Sequence, residues 1–219
     1  MKRLSIFIVG IMMAVVAMSR TFDMKQLGAD AKGINSCTEL INRTIEKAAL
    51  EGGGTIYFPA GTYLTATIHM KSNITLYLES GAVLRFSDKF EDYLPFVTLR
   101  WEGTVMKSLS PLIYAHSADN VTISGRGTLD GNGLKWWLWE FDTRKVIKEN
   151  GGKLPALDKL QQMWVDANKD LEISDYYKPS LERRMFRPPF IQFYECTNIL
   201  IENVKIINSP FWTINPAFC

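Results

Sequence analysis

The sequence predicts an all-β solenoid, with short strands wound into stacked coils. Three observations carry this prediction. A strand motif recurs: Ser72-Asn73-Ile74-Thr75-Leu76, Asp119-Asn120-Val121-Thr122-Ile123 and Thr197-Asn198-Ile199-Leu200-Ile201 each place a polar pair before alternating apolar residues. Asn73 and Asn120 are 47 residues apart, which reads as two coils of about 23 to 24 residues, a solenoid period. Helix-period apolar patterns are absent from residues 63–131, against a βαβ sheet with its crossover helices.

The elements follow in chain order. Residues 1–19 read as an export signal. Lys2 and Arg3 precede an apolar run from Leu4 to Val16, and Ala17-Met18-Ser19 resembles a cleavage site. The run is short against the ~20 residues of a membrane span. The mature chain is therefore expected to begin near Arg20 to Phe22 and to work in the periplasm or outside the cell, with no membrane partner after cleavage. Residues 35–50 read as an amphipathic helix on Leu40, Ile41, Ile45 and Ala48, capped by Ser36 or Thr38. Lying across the open end of the first coil, it would cover an apolar cross-section and an unpaired edge. Gly52-Gly53-Gly54 ends it. A strand from Thr55 to Phe58 follows, then a Pro59-Ala60-Gly61 turn and a second strand at Thr62-Tyr63. Ile74, Leu76 and Leu78 alternate inward, Gly81 turns the chain, and Ala82-Val83-Leu84 forms the next wall. Val121 and Ile123 repeat this ahead of Gly125, Gly127 and Gly131.

Residues 133–186 break the rhythm. Lys135-Trp136-Trp137-Leu138-Trp139 is aromatic, and 142–175 is charged and partly helical, with Leu157, Leu160, Met163 and Trp164 on one face. Taken as an excursion, this stretch reduces the Asn120 to Asn198 step to about one coil. It is therefore an insertion within one domain, 20–219. Two readings stay open for it: a functional loop on a rigid scaffold, or a solvated flap whose aromatics bury only its own helix.

Composition narrows the function. At 47% hydrophobic and 22% charged, the chain can build a core. A net charge of +2, with scattered Lys and Arg, gives nucleic acid nothing to hold. Two His and three Cys without CxxC spacing argue against a metal site, and no cofactor is expected. Cys196 and Cys219 are 23 residues apart. One coil of separation places them at the ~4.8 Å strand spacing, either as a disulfide or as a ladder of buried free thiols. Cys37 has no evident partner.

Leu27-Gly28-Ala29-Asp30-Ala31-Lys32-Gly33, followed by Gly52-Gly53-Gly54-Thr55-Ile56-Tyr57-Phe58-Pro59-Ala60-Gly61-Thr62-Tyr63, resembles the entry region of the pectin-lyase-like superfamily. Three further stretches resemble bacterial polygalacturonases of glycoside hydrolase family 28. They are Arg100-Trp101-Glu102-Gly103, Ser110-Pro111-Leu112-Ile113-Tyr114-Ala115, and Arg187-Pro188-Pro189-Phe190-Ile191 through Asn208-Ser209-Pro210-Phe211-Trp212-Thr213-Ile214-Asn215-Pro216. The resemblance covers essentially the whole mature chain. It implies a right-handed parallel β-helix with an N-terminal capping helix and a partly helical insertion. It also implies inverting hydrolysis of galacturonan or rhamnogalacturonan by paired carboxylates, a pectic polysaccharide or oligosaccharide partner, and a monomer when full length. The family signatures Asn-Thr-Asp, Asp-Asp, Gly-His-Gly and Arg-Ile-Lys do not occur here, and Asn-Thr-Asp would be expected about one coil beyond Cys219. No catalytic residue is carried over, and an N-terminal portion, inactive alone, is the expectation.

Asp130, Glu140 and Asp142 form the nearest carboxylate cluster. Asp130 suits a turn, and the other two lie in the insertion, so none is assigned to catalysis. Trp212 and Asn215, on the coil before the expected catalytic one, are substrate-wall candidates: a ring for a sugar face and an amide for its hydroxyls. Core packing and a turn before Pro216 are the competing readings. Arg187 suits a uronate carboxylate, or else is a surface Arg beside Glu182. Trp101 and Glu102 are further candidates on a loop. His69 and His116, each four residues before a repeat Asn, are expected to stack on one wall. Two alternatives to the hydrolase remain: a non-catalytic carbohydrate-binding or structural β-helix module, and a pectate-lyase-like fragment.

Overall fold

Alternation along the short strands turns one set of side chains inward, and the structure closes those sets into a single stacked core. This computed structural model describes residues 20–101, 103–152, 156–171 and 187–219. The expected export signal, Glu102, and 153–155 and 172–186 of the insertion lie outside the described residues.

The chain passes repeatedly through three parallel sheets. Sheet A holds β1 (Thr21–Asp23), β3 (Gly54–Phe58), β6 (Ile74–Leu78), β11 (Asp119–Gly125) and β14 (Thr197–Ile201). Sheet B holds β2 (Lys32–Ser36), β4 (Gly61–Thr65), β7 (Ala82–Phe86), β12 (Thr128–Asp130) and β15 (Lys205–Ile207). Sheet C holds β5 (Ile68–His69), β10 (Ile113–His116) and β13 (Ile191–Tyr194), and parallel bridges from Ile214 to Ile191 and Ala217 to Tyr194 extend it. The order A to B to C and back to A is a parallel β-helix, and the preference of parallel crossovers for one hand makes it right-handed. Inside, Ile56, Leu76, Ile123 and Ile201 stand in register on successive coils. The first three are fully buried, each contributing about 1.5–3 kcal/mol.

The coil count differs from the sequence expectation. Thr75 pairs with Thr122 and Val121 with Ile199, so Asn73, Asn120 and Asn198 sit on adjacent coils. The 47-residue step is one coil plus an excursion over 87–112, not two coils. All three Asn have positive φ (62°, 58° and 51°). Asn tolerates that turn, and its amide ties coil to coil: Asn120 donates to Asn73 at 3.1 Å and Asn198 to Asp119 at 2.7 Å.

Helix α1 (Thr38–Leu50) covers the first coils with Ile41, Thr44, Ile45 and Ala48. Of the two expected caps, Ser36 accepts the Thr38 N–H at 3.4 Å from the position before the N-cap. Cys37 holds the N-cap position without a side-chain bond, and the Thr38 hydroxyl instead accepts the Ala66 N–H at 2.6 Å, pinning the helix to the B–C corner.

Both long excursions leave from that same corner. The first carries a 3₁₀ turn (Phe90–Tyr93) and an antiparallel hairpin, β8 (Val97–Trp101) and β9 (Thr104–Ser108). The second carries α2 (Leu134–Glu149) and α3 (Lys159–Ala167). An Asp158–Gln161 capping box starts α3. Leu160 and Trp164 face inward, whereas Met163 is exposed, off the face expected for it. The insertion aromatics do not bury only their own helix: Trp136 stacks on Phe90 at 4.0 Å and meets Tyr93 edge-on at 5.5 Å. Among the described residues no helix is long and apolar enough to cross a membrane. Cys37, Cys196 and Cys219 are free thiols. Cys219 is exposed rather than buried, with its sulfur 3.4 Å from the Cys196 amide one coil below.

Candidate active-site face

The outer face of sheet C is where sequence alternation and the excursions converge. Strand register aligns His69 with Tyr114 and Tyr114 with Gln192. The Ile191–Ile214 bridge then brings Asn215 beside Gln192. A parallel row sets His116 against Tyr194, ring to ring at 5.0 Å and 89°. The two histidines therefore do not stack on each other. The shared distance to a repeat Asn misled, because the short corner strand β5 is offset by two residues against β10. Burial, with Lys71 beside it, lowers the His69 pKa and favours neutral imidazole. Burial, with weaker pushes from Cys196, Tyr194 and Glu195, raises the Tyr114 phenol to about 12.

The hairpin lies over the middle of this face. The Tyr114 hydroxyl donates to the Thr98 carbonyl at 2.6 Å, and the Gln192 amide donates to the Arg100 carbonyl at 2.9 Å. Val97 packs on Tyr114, Tyr194 and Ala217, and the Arg100 guanidinium sits 5.5 Å from the Phe218 ring. Gln192 is wholly buried, and among the described residues its Oε1 and the Trp101 Nε1 have no hydrogen-bond partner. Lid and excursion walls also brace each other through Lys107 and Asn168, whose side chain bonds the Lys107 N–H at 2.8 Å and carbonyl at 2.7 Å.

At the open edge of the face, Phe211, Trp212 and Trp101 form an aromatic cluster. Trp101 stacks on Phe211 at 5.8 Å and 22°, and Trp212 lies 4.1 Å from Phe211 and 6.3 Å from Trp101. Trp212 and Asn215 are half-buried, so each keeps a part open to a ligand. Trp101 does not: at 4% exposure it is core of the lid, on a strand rather than a loop. Glu102 lies outside the described residues.

Arg187 is neither a free uronate clamp nor a surface Arg. Its guanidinium pairs with Glu140, donates to the Pro210 carbonyl at 3.0 Å, and covers the Phe211 ring at 4.7 Å. Glu140, 6% exposed at its side chain, also accepts from Arg144 at 2.9 and 2.5 Å. The insertion is thus locked to the aromatic edge through a buried carboxylate. Sequence reasoning missed this role for Glu140; its spacing to Arg144 was the only available signal. Asp130 is held by the Asn132 N–H, the Asn208 amide at 2.8 Å and Arg85 at 3.8 Å. Asp142 is exposed on α2. Among the described residues no group of three or more His, Cys, Asp or Glu gathers to hold a metal.

The profile described as "Rhamnogalacturonase A/epimerase, pectate lyase-like" matches residues 21–133. The chain belongs to this family. The exopolygalacturonase of Thermotoga maritima is 37% identical, with a TM-score of 0.70 over 91% of this chain and 44% of its own. A probable polygalacturonase of Vitis vinifera is 26% identical over 80% of this chain and 29% of its length. An exo-poly-alpha-D-galacturonosidase of Dickeya chrysanthemi is 30% identical over 54% and 21%. The family 28 exopolygalacturonase of Yersinia enterocolitica shares the fold, with a TM-score of 0.61 at 22% identity. The chain spans less than half the length of each of these relatives. Within the family's β-helix, the row from His69 to Asn215 and its hairpin lid are what this stretch contributes.

Proposed function

We propose that this chain supplies the N-terminal coils and one groove wall of an exported glycoside hydrolase that degrades galacturonan by inverting hydrolysis. The observation that carries this reading is the hairpin seal over sheet C. A polysaccharide running along the outward row of sheet C, beside Trp212 and Asn215, meets the lid at Tyr114 and Gln192 and can go no further. A groove blind at one end accepts chain ends, so the reaction is exo-acting cleavage. Two relatives at 30% identity or more carry exo-acting names, which supports the same mode. The carboxylate pair needed for inversion is not taken from Asp130 or Glu140, because both are engaged in holding the fold. The 219-residue chain alone is therefore inactive.

A chimera tests this. Residues 20–219 replace the matching segment of the T. maritima exopolygalacturonase, and products from polygalacturonate are separated by size. The expected result is short uronides with little loss of viscosity, and no reducing ends from the 219-residue chain alone. Reducing ends released by the chain alone, and abolished by Asp130→Ala, would overturn the reading.

A further inference from the structure

A second concave site lies on the other side of the lid. A cavity of about 650 Å³ opens between α1, the end of β5 and the 3₁₀ turn of the first excursion, within the ~300–1,000 Å³ of small-molecule sites. His69 is half-buried at its base, next to Tyr114 in the sheet C row, with the rings edge to face at 5.9 Å. Asn42 fixes the backbone of this base: its amide oxygen accepts the His69 backbone N–H at 2.9 Å and its amide donates to the Thr67 carbonyl at 2.9 Å. The imidazole itself rests against the Tyr114 ring, with its Nε2 3.4 Å from the Thr67 hydroxyl.

The rim carries both signs of charge. Arg43 and Lys71 are exposed cations, Glu39 and Glu46 are exposed carboxylates on α1, and Asp92 of the 3₁₀ turn is a third carboxylate, engaged by the Ser87 hydroxyl at 2.5 Å. Arg43 touches Glu39 at 3.7 Å with both side chains more than half exposed, a pairing weak enough for a ligand to displace. Among the described residues Lys71 makes no ion pair. This mixture discriminates between ligands. Sulfate and phosphate concentrate charge that Glu39 and Glu46 repel. A uronide carries one carboxylate per ring with hydroxyls between, so its carboxylates can meet Arg43 and Lys71 while its hydroxyls donate to the two Glu. Nearly neutral imidazole at the base can donate or accept.

We propose that this cleft is a second, non-catalytic binding site for galacturonan, separated from the sheet C edge by the hairpin. It rests on the proposed function for the class of its ligand, but not for the cleft itself. It tethers a second polymer chain while the end of the first occupies the sheet C face.

The 219-residue chain, titrated with trigalacturonate and followed by amide ¹H–¹⁵N spectra, tests this. Saturable shifts are expected at Asn42, His69 and Lys71, and Arg43→Gln with Lys71→Gln should weaken them at least tenfold. Both residues are exposed, and an unchanged circular dichroism spectrum verifies the fold. Galactotriose and sulfate at equal concentration should leave these amides in place. The proposal is overturned by equal shifts with galactotriose, by equal shifts with sulfate, by unchanged affinity in the double variant, or by no shift at these amides. Shifts at Trp212 and Asn215 alone would remove the second site yet keep the galacturonan reading. Failure of the chimera on polygalacturonate, with trigalacturonate still bound at His69, would do the reverse.

Discussion

The coil walls and the corner excursions are built by different rules. In the walls, one pattern repeats: inward Ile or Leu, a positive-φ Asn, a Gly at the turn. Each coil needs only its neighbour. In the excursions nothing repeats. Trp136 needs Phe90, Arg187 needs Glu140, and Gln192 needs the Arg100 carbonyl. The walls supply a rigid face cheaply, and the excursions decide what that face admits. A wall change should therefore act on the whole fold, and an excursion change on one side of the groove.

Six variants at five positions break or sharpen that contrast. Gly125→Ala should be the most damaging. Gly125 has φ +118°, and an added Cβ would lie 2.0 Å from the Leu78 carbonyl oxygen. A loss of more than about 4 kcal/mol is expected, read as insoluble expression or as a collapsed urea midpoint. Glu140→Ala comes next. It leaves Arg187 without its carboxylate, at about 3–5 kcal/mol for breaking a buried pair. Its signature should be local: tryptophan emission shifts while the far-ultraviolet β signal persists. Loss of both together would merge the two regions into one cooperative unit. The exposed Lys145–Glu149 pair is the control, and Glu149→Ala should cost under about 1 kcal/mol.

Asn120→Ala is smaller. Forcing a Cβ residue without a local polar partner into the left-handed region costs about 1–2 kcal/mol. Asn120→Gly should cost less, although both lose the bond to Asn73. Equal losses would assign the ladder's value to the hydrogen bond instead of the backbone. Asp119 gives the smallest effect, and a pH-dependent one. Bonds from Thr197 and Asn198 lower its pKa below 3.8. Its stabilisation is thus present above the ordinary carboxylate value and is lost as pH falls through the lower folded one. Urea midpoints between pH 5 and 2 should drop less steeply for Asp119→Asn than for the parent, and identical slopes would contradict this.

Much of the wall was legible in the sequence. Ile74, Leu76, Leu78, Val121 and Ile123 point inward as alternation requires, and the helix before Gly52 covers the first coils. Less of the candidate site could be read. Trp212 and Asn215 lie on the coil that bridges to β13, and Asn215 falls in the outward row. Trp101 and Arg187 carry chemistry that suits sugars, but tertiary contacts claim both. Tyr114 and Gln192 gave no signal, because a polar outward residue on a β-helix is ordinary until something covers it.

The sequence by itself determined the coil interior, the turns and the family, because alternation, Gly and Asn act over a few residues. Tertiary structure decided how many coils the 47-residue step holds, which histidine faces which tyrosine, and that Glu140 closes on Arg187. Those outcomes depend on excursions that add length along the chain without adding height to the stack. Spacing alone cannot separate the two; only the hydrogen-bonded register between neighbouring coils does.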